Sequence, residues 1–271
     1  MERERVTITL SKDILKELDA SVDGAGLRNR SHAVEFFIRK AIGASIDTAF
    51  VLAGEKKVRF HTLSRRIPKT MIPVNDRPVS EHLIEWLKDN GFKRVIFGIG
   101  YKTNKLKEYF GNGSKWGIEI LYCEDKGSGT TGSLLKAKEY LEEGYFVVVD
   151  GDILTRFDLR EMVAFHKKND ALVTVALKSV SHPESFVAEL EGSRIIKFIE
   201  KPGKESHSNL VNAGVYVMDP KVFDHLKPKN SIKRDLLPLI AGENNLFAYP
   251  FSGPWIRVSD KNSVKKAEEI W

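Results

Sequence analysis

The chain has 271 residues, of which 42% are hydrophobic and 30% are charged, proportions typical of a globular protein. Its formal net charge of +6 is compatible with nucleic acid or with phosphorylated ligands and does not distinguish between them. The single cysteine, Cys123, excludes an internal disulfide, and no apolar run approaches the ~18–20 residues of a membrane span. We therefore expect a cytoplasmic protein with one large domain, or with a small domain followed by a large one.

Residues 1–45 have the pattern of a small separate unit. The segment RVTITL alternates polar and apolar residues and predicts a short strand, and Ser11 then caps a predicted helix over SKDILKELDASV. The DGAG stretch ends this helix, and Asn29 is the expected N-cap of a second helix over RSHAVEFFIRKAI. One strand and two helices are too few to close a core, so we expect the strand to pair with a second copy of the chain.

This segment resembles the ribbon-helix-helix family of DNA-binding domains over residues 3–42. The resemblance implies that two strands pair across a dimer axis and enter the major groove, while the second helix presents its N-terminus to a phosphate. The implied DNA-binding residues are Arg5, Thr7, Thr9, Asn29, Arg30 and Ser31. A plain dimerisation arm is the alternative, because residues 1–45 carry eight Lys and Arg against seven Asp and Glu and so lack a strongly basic face.

From Thr48 onward, strands alternate with helices. The apolar runs TAFVLA, RVIFGIG, IEILYCE and YFVVVDGD predict buried strands, and helical stretches lie between them. This repetition predicts a Rossmann-like α/β domain over residues 46–271, with a mostly parallel central sheet and right-handed crossovers. Ligands bind beyond the carboxyl ends of such strands, so we expect the loop 54–70 and the DGD motif of the fourth strand at one rim.

Several sequence blocks in this domain are similar, in the same order, to the sugar-1-phosphate nucleotidyltransferases, which join a nucleoside triphosphate to a sugar phosphate. The similarity runs from Thr48 to Trp271 and implies the fold of that family. The blocks include LAG at 52–54, PKTMIPV at 68–74, GTTGSLLKAKEYL at 129–141, VVDGDIL at 148–154, FIEKP at 198–202, NAGVYVMDP at 212–220 and DLLP at 235–238.

The resemblance also implies roles for individual positions. The base and ribose would be lined by Leu52, Ala53, Gly54 and Gly132, the phosphates would meet Arg59 and Lys69, and the sugar phosphate would be surrounded by Glu200, Lys201 and Asn212. Asp152 would hold magnesium, if the site still binds this metal. Taken one at a time, the polar positions have ordinary alternatives, such as a turn residue at Asp152, a surface pair at 200–201 and a strand-edge polar group at Asn212.

Three positions depart from the family's pattern. The family's loop reads Gly-Gly-x-Gly-Thr-Arg, whereas residues 54–59 read GEKKVR and lack the glycines that let a backbone approach a triphosphate. The family's Trp-x-Asp-x-Gly supplies a second carboxylate for magnesium, whereas Arg257 stands at that place, and a guanidinium has no lone pair for a metal. A Tyr-Gly pair near the sugar is replaced by residues 185–186, Ser and Phe.

These departures lead us to expect a pseudoenzyme with no catalytic residue and no required cofactor. Arg257 would pair with Asp152 and offer its remaining donors to a phosphate. The predicted function is a transcriptional regulator, an obligate homodimer through its N-terminal strands, that binds double-stranded DNA and senses a nucleotide, sugar phosphate or nucleotide sugar. One alternative is an active, magnesium-dependent sugar-1-phosphate nucleotidyltransferase with an N-terminal dimerisation or autoregulatory domain. Another is a scaffold that binds no small molecule.

Overall fold

A computed structural model of the protein describes residues 6–22, 24, 27–41, 46–54, 68–100, 104–124, 127–183, 186–200 and 208–271. The chain divides into two compact units, Met1–Ser45 and Ile46–Trp271. None of the helices in these described ranges has the length and apolar character needed to cross a membrane.

The described part of the first unit is built from two helices, α1 (Lys12–Ser21) and α2 (Arg30–Ala41). Both predicted caps are present: the side chain of Ser11 accepts a hydrogen bond from the backbone N–H of Ile14, and Asn29 accepts one from that of His32. Residues 6–10 form no strand within the single chain, and the predicted pairing with a second copy stays a prediction. A strand needs a neighbouring edge for its backbone groups, and the described remainder of this unit is helical.

The predicted DNA-binding residues that the structure describes lie before α1 and at the start of α2. Thr7 and Thr9 are exposed outside any strand, Ser31 is exposed in the first turn of α2, and Arg5 lies outside the described residues. Arg30 is engaged within the unit, where its guanidinium donates to both carboxylate oxygens of Asp19 at 2.5 and 2.6 Å. This ion pair joins the two helices, so the Arg30 guanidinium has a structural partner.

The second unit contains thirteen strands in its described residues. They are β1 (Thr48–Ala53), β2 (Pro73–Val74), β3 (Arg77–Pro78), β4 (Arg94–Ile99), β5 (Glu119–Glu124), β6 (Phe146–Asp150), β7 (Ile153–Thr155), β8 (Val173–Ser179), β9 (Val187–Glu191), β10 (Arg194–Ile199), β11 (Leu210–Met218), β12 (Leu246–Pro250) and β13 (Trp255–Arg257). Its helices are α3 (Val79–Asp89), α4 (Asn104–Phe110), α5 (Gly129–Lys136), α6 (Lys138–Leu141), α7 (Leu159–Lys168), α8 (Leu237–Gly242) and α9 (Lys261–Ile270). Short 3₁₀ turns cover Lys69–Met71, Ser114–Trp116 and Pro220–His225, and a π-helical turn covers Ile232–Leu236.

Nine of these strands form one sheet in the order β5-β4-β1-β6-β11-β8-β12-β10-β9. The four strands predicted from apolar runs, β1, β4, β5 and β6, pair in parallel as expected. The rest of the sheet is mixed, because β11 runs antiparallel to β6 and β8, and β10 runs antiparallel to β9 and β12. The mostly parallel sheet is therefore a wrong prediction. Only residues 192–193 join β9 to β10, a connection that is too short for a parallel crossover.

Both faces of the sheet are covered by helices. Side chains alternate along a strand, so Ala49 and Val51 of β1 enter the core under α3, α4 and α7, whereas Phe50 enters the core under α5, α6 and α8. All three are completely buried, and full burial of a side chain such as that of Val51 or Phe50 stabilises the fold by about 1.5–3 kcal/mol. With both faces occupied, the ends of the strands are the place where polar side chains can converge.

Candidate functional site

Two carboxylates lie where β1 and β6 end side by side. Leu52 pairs with Asp150, the last residue of β6, and the chain then turns through Gly151 to Asp152. The turn is tight because the N–H of Gly151 donates to the carbonyl oxygen of Leu52 at 3.0 Å. A Cβ at Gly151 would lie only 2.6 Å from that oxygen and from the methyl group of Thr70. The turn therefore places both carboxylates, each 5% exposed, at one rim of the sheet.

Strand β13 carries the side chain of Arg257 to these carboxylates. It runs antiparallel to β7, with Arg257 opposite Ile153, and the N–H of Val258 donates to the carbonyl of Asp152 at 2.7 Å. The guanidinium of Arg257 bridges the two acids, with Nη1 at 2.5 Å from Asp152 Oδ1 and Nη2 at 2.8 Å from Asp150 Oδ2. The expected pair between Arg257 and Asp152 is thus present, together with a second partner.

Two lysines complete a group that we call the ion cluster: Asp150, Asp152, Arg257, Lys69 and Lys233. Lys69 begins the 3₁₀ turn after the loop that follows β1, and its Nζ lies 2.9 Å from Asp152 Oδ2. Lys233 belongs to the π-helical turn, and its Nζ lies 2.5 Å from Asp150 Oδ2. Single π-helical turns are rare and frequently occur at functional sites. The cluster combines three cations with two carboxylates and has a formal charge of +1.

The cluster holds the carboxylate of Asp152 ionised. Burial by itself would raise the pKa of Asp152, but the positive charges of Arg257, Lys69 and Lys233 outweigh that effect and lower this pKa to about 2. Burial would likewise lower the pKa of Arg257, whereas Asp152 and Asp150 raise it. The facing charges of Asp152 and Arg257 therefore persist over the physiological pH range.

Strand β11 brings an amide against the same rim. Asn212 is 3% exposed, and its Oδ1 accepts hydrogen bonds from the N–H of Gly214 at 2.8 Å and from the hydroxyl of Tyr216 at 3.1 Å. Because a backbone N–H can only donate, these contacts fix the amide orientation and direct Nδ2 elsewhere. This nitrogen is buried without a hydrogen-bond partner in the described part of the chain. Gly214, with φ of +79°, lies so near that its Cβ would be 2.4 Å from Asp150 Oδ2.

The other predicted ligand residues are spread around this rim. Leu52 and Ala53 end β1 and are followed by Gly54, whose carbonyl oxygen would lie 2.9 Å from a Cβ at Gly100. Gly132 belongs to α5, where a Cβ would meet the Cβ of Ser128 at 2.4 Å, so packing within the helix already requires glycine there.

Three further predicted positions are not part of the ion cluster as described. Glu200 is exposed and forms an ion pair with Arg234, with contacts of 2.6 and 3.1 Å, as in the surface-pair alternative. Arg59 and Lys201 lie outside the described residues.

Two members of the ion cluster, Asp150 and Lys233, were not identified from the sequence. The first Asp of the DGD motif was a visible signal for Asp150, whereas Lys233 is 83 residues from its partner and no local pattern indicates the contact.

Comparisons with known proteins agree on the second unit. A family model described as nucleotidyl transferase matches residues 48–268. The chain is 32% identical over 218 residues to a mannose-1-phosphate guanylyltransferase catalytic subunit beta from Xenopus tropicalis, covering 78% of this chain and 60% of the relative. It is 30% identical over 245 residues to a UTP–glucose-1-phosphate uridylyltransferase from Synechocystis sp., covering 82% and 61%. The chain thus spans about 60% of the length of these curated relatives.

Solved structures show the same fold. HddC from Yersinia pseudotuberculosis superposes with a TM-score of 0.73 at 22% identity, covering 82% of this chain and 98% of that one. A UDP-glucose pyrophosphorylase complexed with UDP-glucose superposes with a TM-score of 0.70 at 21% identity, covering 83% and 97%. The Rossmann-like nucleotidyltransferase fold is therefore confirmed for the second unit, with a mixed sheet.

These findings overturn the predicted regulator. The relatives are named as nucleotidyl-transferring enzymes, and the family match starts at residue 48, so it gives no support to a ribbon-helix-helix domain in the first unit. The predictions of transcription regulation, DNA binding and a pseudoenzyme are wrong. Alternation over six residues and two helix caps are local features that many small helical units share. The arginine at position 257 shows that a positive charge replaces the family's carboxylate. It does not show that nucleotidyl transfer is lost.

Nucleotidyltransferases of the matched family typically use magnesium. The described residues hold no group of three or more His, Cys, Asp or Glu side chains that could bind a metal. The guanidinium of Arg257 bridges Asp150 and Asp152, where a shared metal would have to sit. A divalent ion here would meet three cations against two carboxylates that are already paired, and the guanidinium alone, at about 4 Å, would repel it by about 8 kcal/mol at an effective dielectric constant of about 20. The ion cluster as arranged therefore does not fit a divalent cation.

Proposed function

Because the chain belongs to the nucleotidyl transferase family, we propose that it is a sugar-1-phosphate nucleotidyltransferase. In this reaction a phosphate oxygen of the sugar 1-phosphate attacks the α-phosphorus of a nucleoside triphosphate, and the bond from that phosphorus to pyrophosphate breaks. The products are a nucleotide sugar and pyrophosphate. The observation that carries the proposal is the ion cluster, which lies at the strand ends where ligands of such sheets bind.

The ion cluster has the charge that this reaction needs. Both substrates and the leaving pyrophosphate are anions, so catalysis of phosphoryl transfer depends mainly on positive charge held in position. Lys69, Lys233 and Arg257 are each held by a carboxylate at 2.5–2.9 Å, so they are already ordered before a ligand arrives. Their formal excess of one positive charge attracts phosphate, and we assign phosphate contacts to these three side chains.

Neighbouring residues are suited to the rest of the ligand. Nδ2 of Asn212 has no partner in the described residues, and an unpaired buried donor costs about 1–3 kcal/mol. A phosphate or hydroxyl oxygen of the sugar phosphate would satisfy it. The end of β1 at Leu52, Ala53 and Gly54, with Gly132 of α5, remains the proposed contact for base and ribose.

Two substrate pairs follow from the names of the relatives, namely GTP with mannose 1-phosphate and UTP with glucose 1-phosphate. The test is pyrophosphate release by the purified full chain, with the nucleotide sugar identified by chromatography. Lys69→Met and Lys233→Met should each lower kcat about 100-fold, the size of effect seen when one preorganised donor is removed. Lys266→Met, on the exposed side of α9, is the matched control and should leave kcat unchanged. The proposal fails if no nucleoside triphosphate yields pyrophosphate with any sugar 1-phosphate of a broad panel.

We also propose that the first unit pairs with the same unit of a second copy. Its apolar side chains Val6, Ile8, Ile14, Phe37 and Ile38 are between 41% and 74% exposed. A unit of this size is too small to bury a core of its own, and a second copy would cover these side chains. Light scattering should give a dimer mass, and Phe37→Ser with Ile38→Ser should give a monomer. A monomeric wild-type chain would contradict the pairing.

A further inference from the structure

We propose that Arg257 takes the place of a divalent cation in the ion cluster, so that the protein binds its phosphate-bearing ligand without a divalent ion. The inference rests on the proposed function for the class of ligand, a nucleotide or a nucleotide sugar. It adds a property that the family's typical use of magnesium does not predict.

The first support is the position of the guanidinium. One nitrogen faces Asp152 and another faces Asp150, so a single permanent charge lies between the two carboxylates that a shared metal would need. Two backbone features hold it there: the pairing of β13 with β7, and the hydrogen bond from Val258 to Asp152. A guanidinium has five N–H donors, and the two nitrogens that meet the carboxylates leave further donors for a phosphate oxygen.

The second support is a pair of buried polar groups beside the cluster that lack partners in the described part of the chain. They are Nδ2 of Asn212 and Oγ1 of Thr70, and both residues are 3% exposed. Thr70 follows Lys69 in the 3₁₀ turn and contacts the Gly151 turn, whereas Asn212 lies two residues from Gly214, which packs on Asp150. Both groups can donate to oxygen, and buried polar groups in native proteins are rarely left unpaired.

A closed ion-pair network that binds nothing is the competing explanation for these contacts. Such a network is most stable when its charges balance and its polar neighbours are satisfied. This cluster has three cations for two carboxylates and two unsatisfied neighbours in the described residues, and all of these features favour an anion with several oxygen atoms.

Calorimetry with the full chain tests the inference, with GDP, UDP, GDP-mannose and UDP-glucose as probes, each in EDTA and in magnesium chloride. At least one probe should bind in EDTA with a Kd within about threefold of its value in magnesium. Binding that is more than about tenfold weaker in EDTA would overturn the inference, as would the absence of binding in both buffers.

Arg257→Asp gives the sharper arm, because it exchanges the guanidinium for the carboxylate that the family has at this place. Its binding should become dependent on magnesium, at least about tenfold tighter with the ion than in EDTA. Arg194→Asp, an exposed change at β10, is the matched control and should bind as the wild type does. If Arg257→Asp does not fold, the comparison of wild-type binding in EDTA and in magnesium still tests the inference.

The outcomes also separate this inference from the proposed function. Metal-independent binding without turnover of any sugar phosphate would contradict the enzyme and leave the Arg257 inference standing. Turnover of a sugar phosphate, together with ligand binding that occurs only in magnesium, would support the proposed nucleotidyltransferase activity and overturn the Arg257 inference.

Discussion

Replacing Asp152 by Asn should destabilise the second unit by an amount that depends on pH. The pKa of Asp152 falls from an ordinary value of 3.8 to about 2 in the folded protein, because the charges of Arg257, Lys69 and Lys233 outweigh burial. At about 1.4 kcal/mol for each pKa unit, the ionised form contributes roughly 2 kcal/mol to folding. Breaking a buried ion pair on one side costs about 3–5 kcal/mol. We expect Asp152→Asn to lower the free energy of unfolding at pH 7 by about 3 kcal/mol.

The sign of the pH dependence follows from the lowered pKa. A carboxyl group with a lowered pKa in the folded state stabilises the protein above its unfolded pKa, and it loses that contribution as the pH falls through the folded value. The stability difference between wild type and Asp152→Asn should therefore be constant above about pH 5 and shrink by roughly 2 kcal/mol between about pH 4 and pH 2.

Denaturant unfolding followed by tryptophan fluorescence measures this difference, because all four tryptophans belong to the second unit. Trp255 reports from within β13, where its Nε1 donates to the carbonyl of Ala213 at 2.9 Å. The exposed change Asp224→Asn should alter stability by less than about 0.5 kcal/mol and serves as the control. A variant as stable as the wild type at pH 7, or a difference that does not shrink in acid, would refute the electrostatic account of the cluster.

Three further outcomes are expected. Gly214→Ala should destabilise the second unit by more than about 2 kcal/mol in the same unfolding assay, because the residue has φ of +79° and its Cβ would clash with Asp150 Oδ2. Equal stability would contradict the close approach of Gly214 to Asp150. Asn212→Ala should weaken nucleotide-sugar binding about tenfold in calorimetry, by removing an otherwise unpaired donor; unchanged affinity would separate Asn212 from the ligand. Burial lowers the pKa of His166, which contacts Thr174, to about 3. Because the unfolded chain binds a proton at this histidine and the folded protein does not, the free energy of unfolding should fall by about 2 kcal/mol between pH 6.5 and pH 5. His166→Phe should abolish that part of the fall.

The mistaken prediction of a regulator came from two local observations. The alternation in RVTITL predicted a strand that would pair with a second copy of the chain, and this led to the ribbon-helix-helix interpretation. The loss of a carboxylate at position 257 suggested lost catalysis. The structure places three cations around Asp150 and Asp152, so charge that could stabilise phosphate is supplied by side chains.

The sequence by itself determined the parallel strands β1, β4, β5 and β6, the caps Ser11 and Asn29, and the presence of a cation at position 257. These features depend on apolar periodicity, on contacts a few residues apart, or on the identity of one residue, and they are readable without a fold. Only the tertiary structure decided that Lys233 meets Asp150 and that the sheet becomes mixed after β6. Contacts between distant residues depend on how the sheet is ordered, because the summed packing of many strands and helices selects them and no local pattern encodes them.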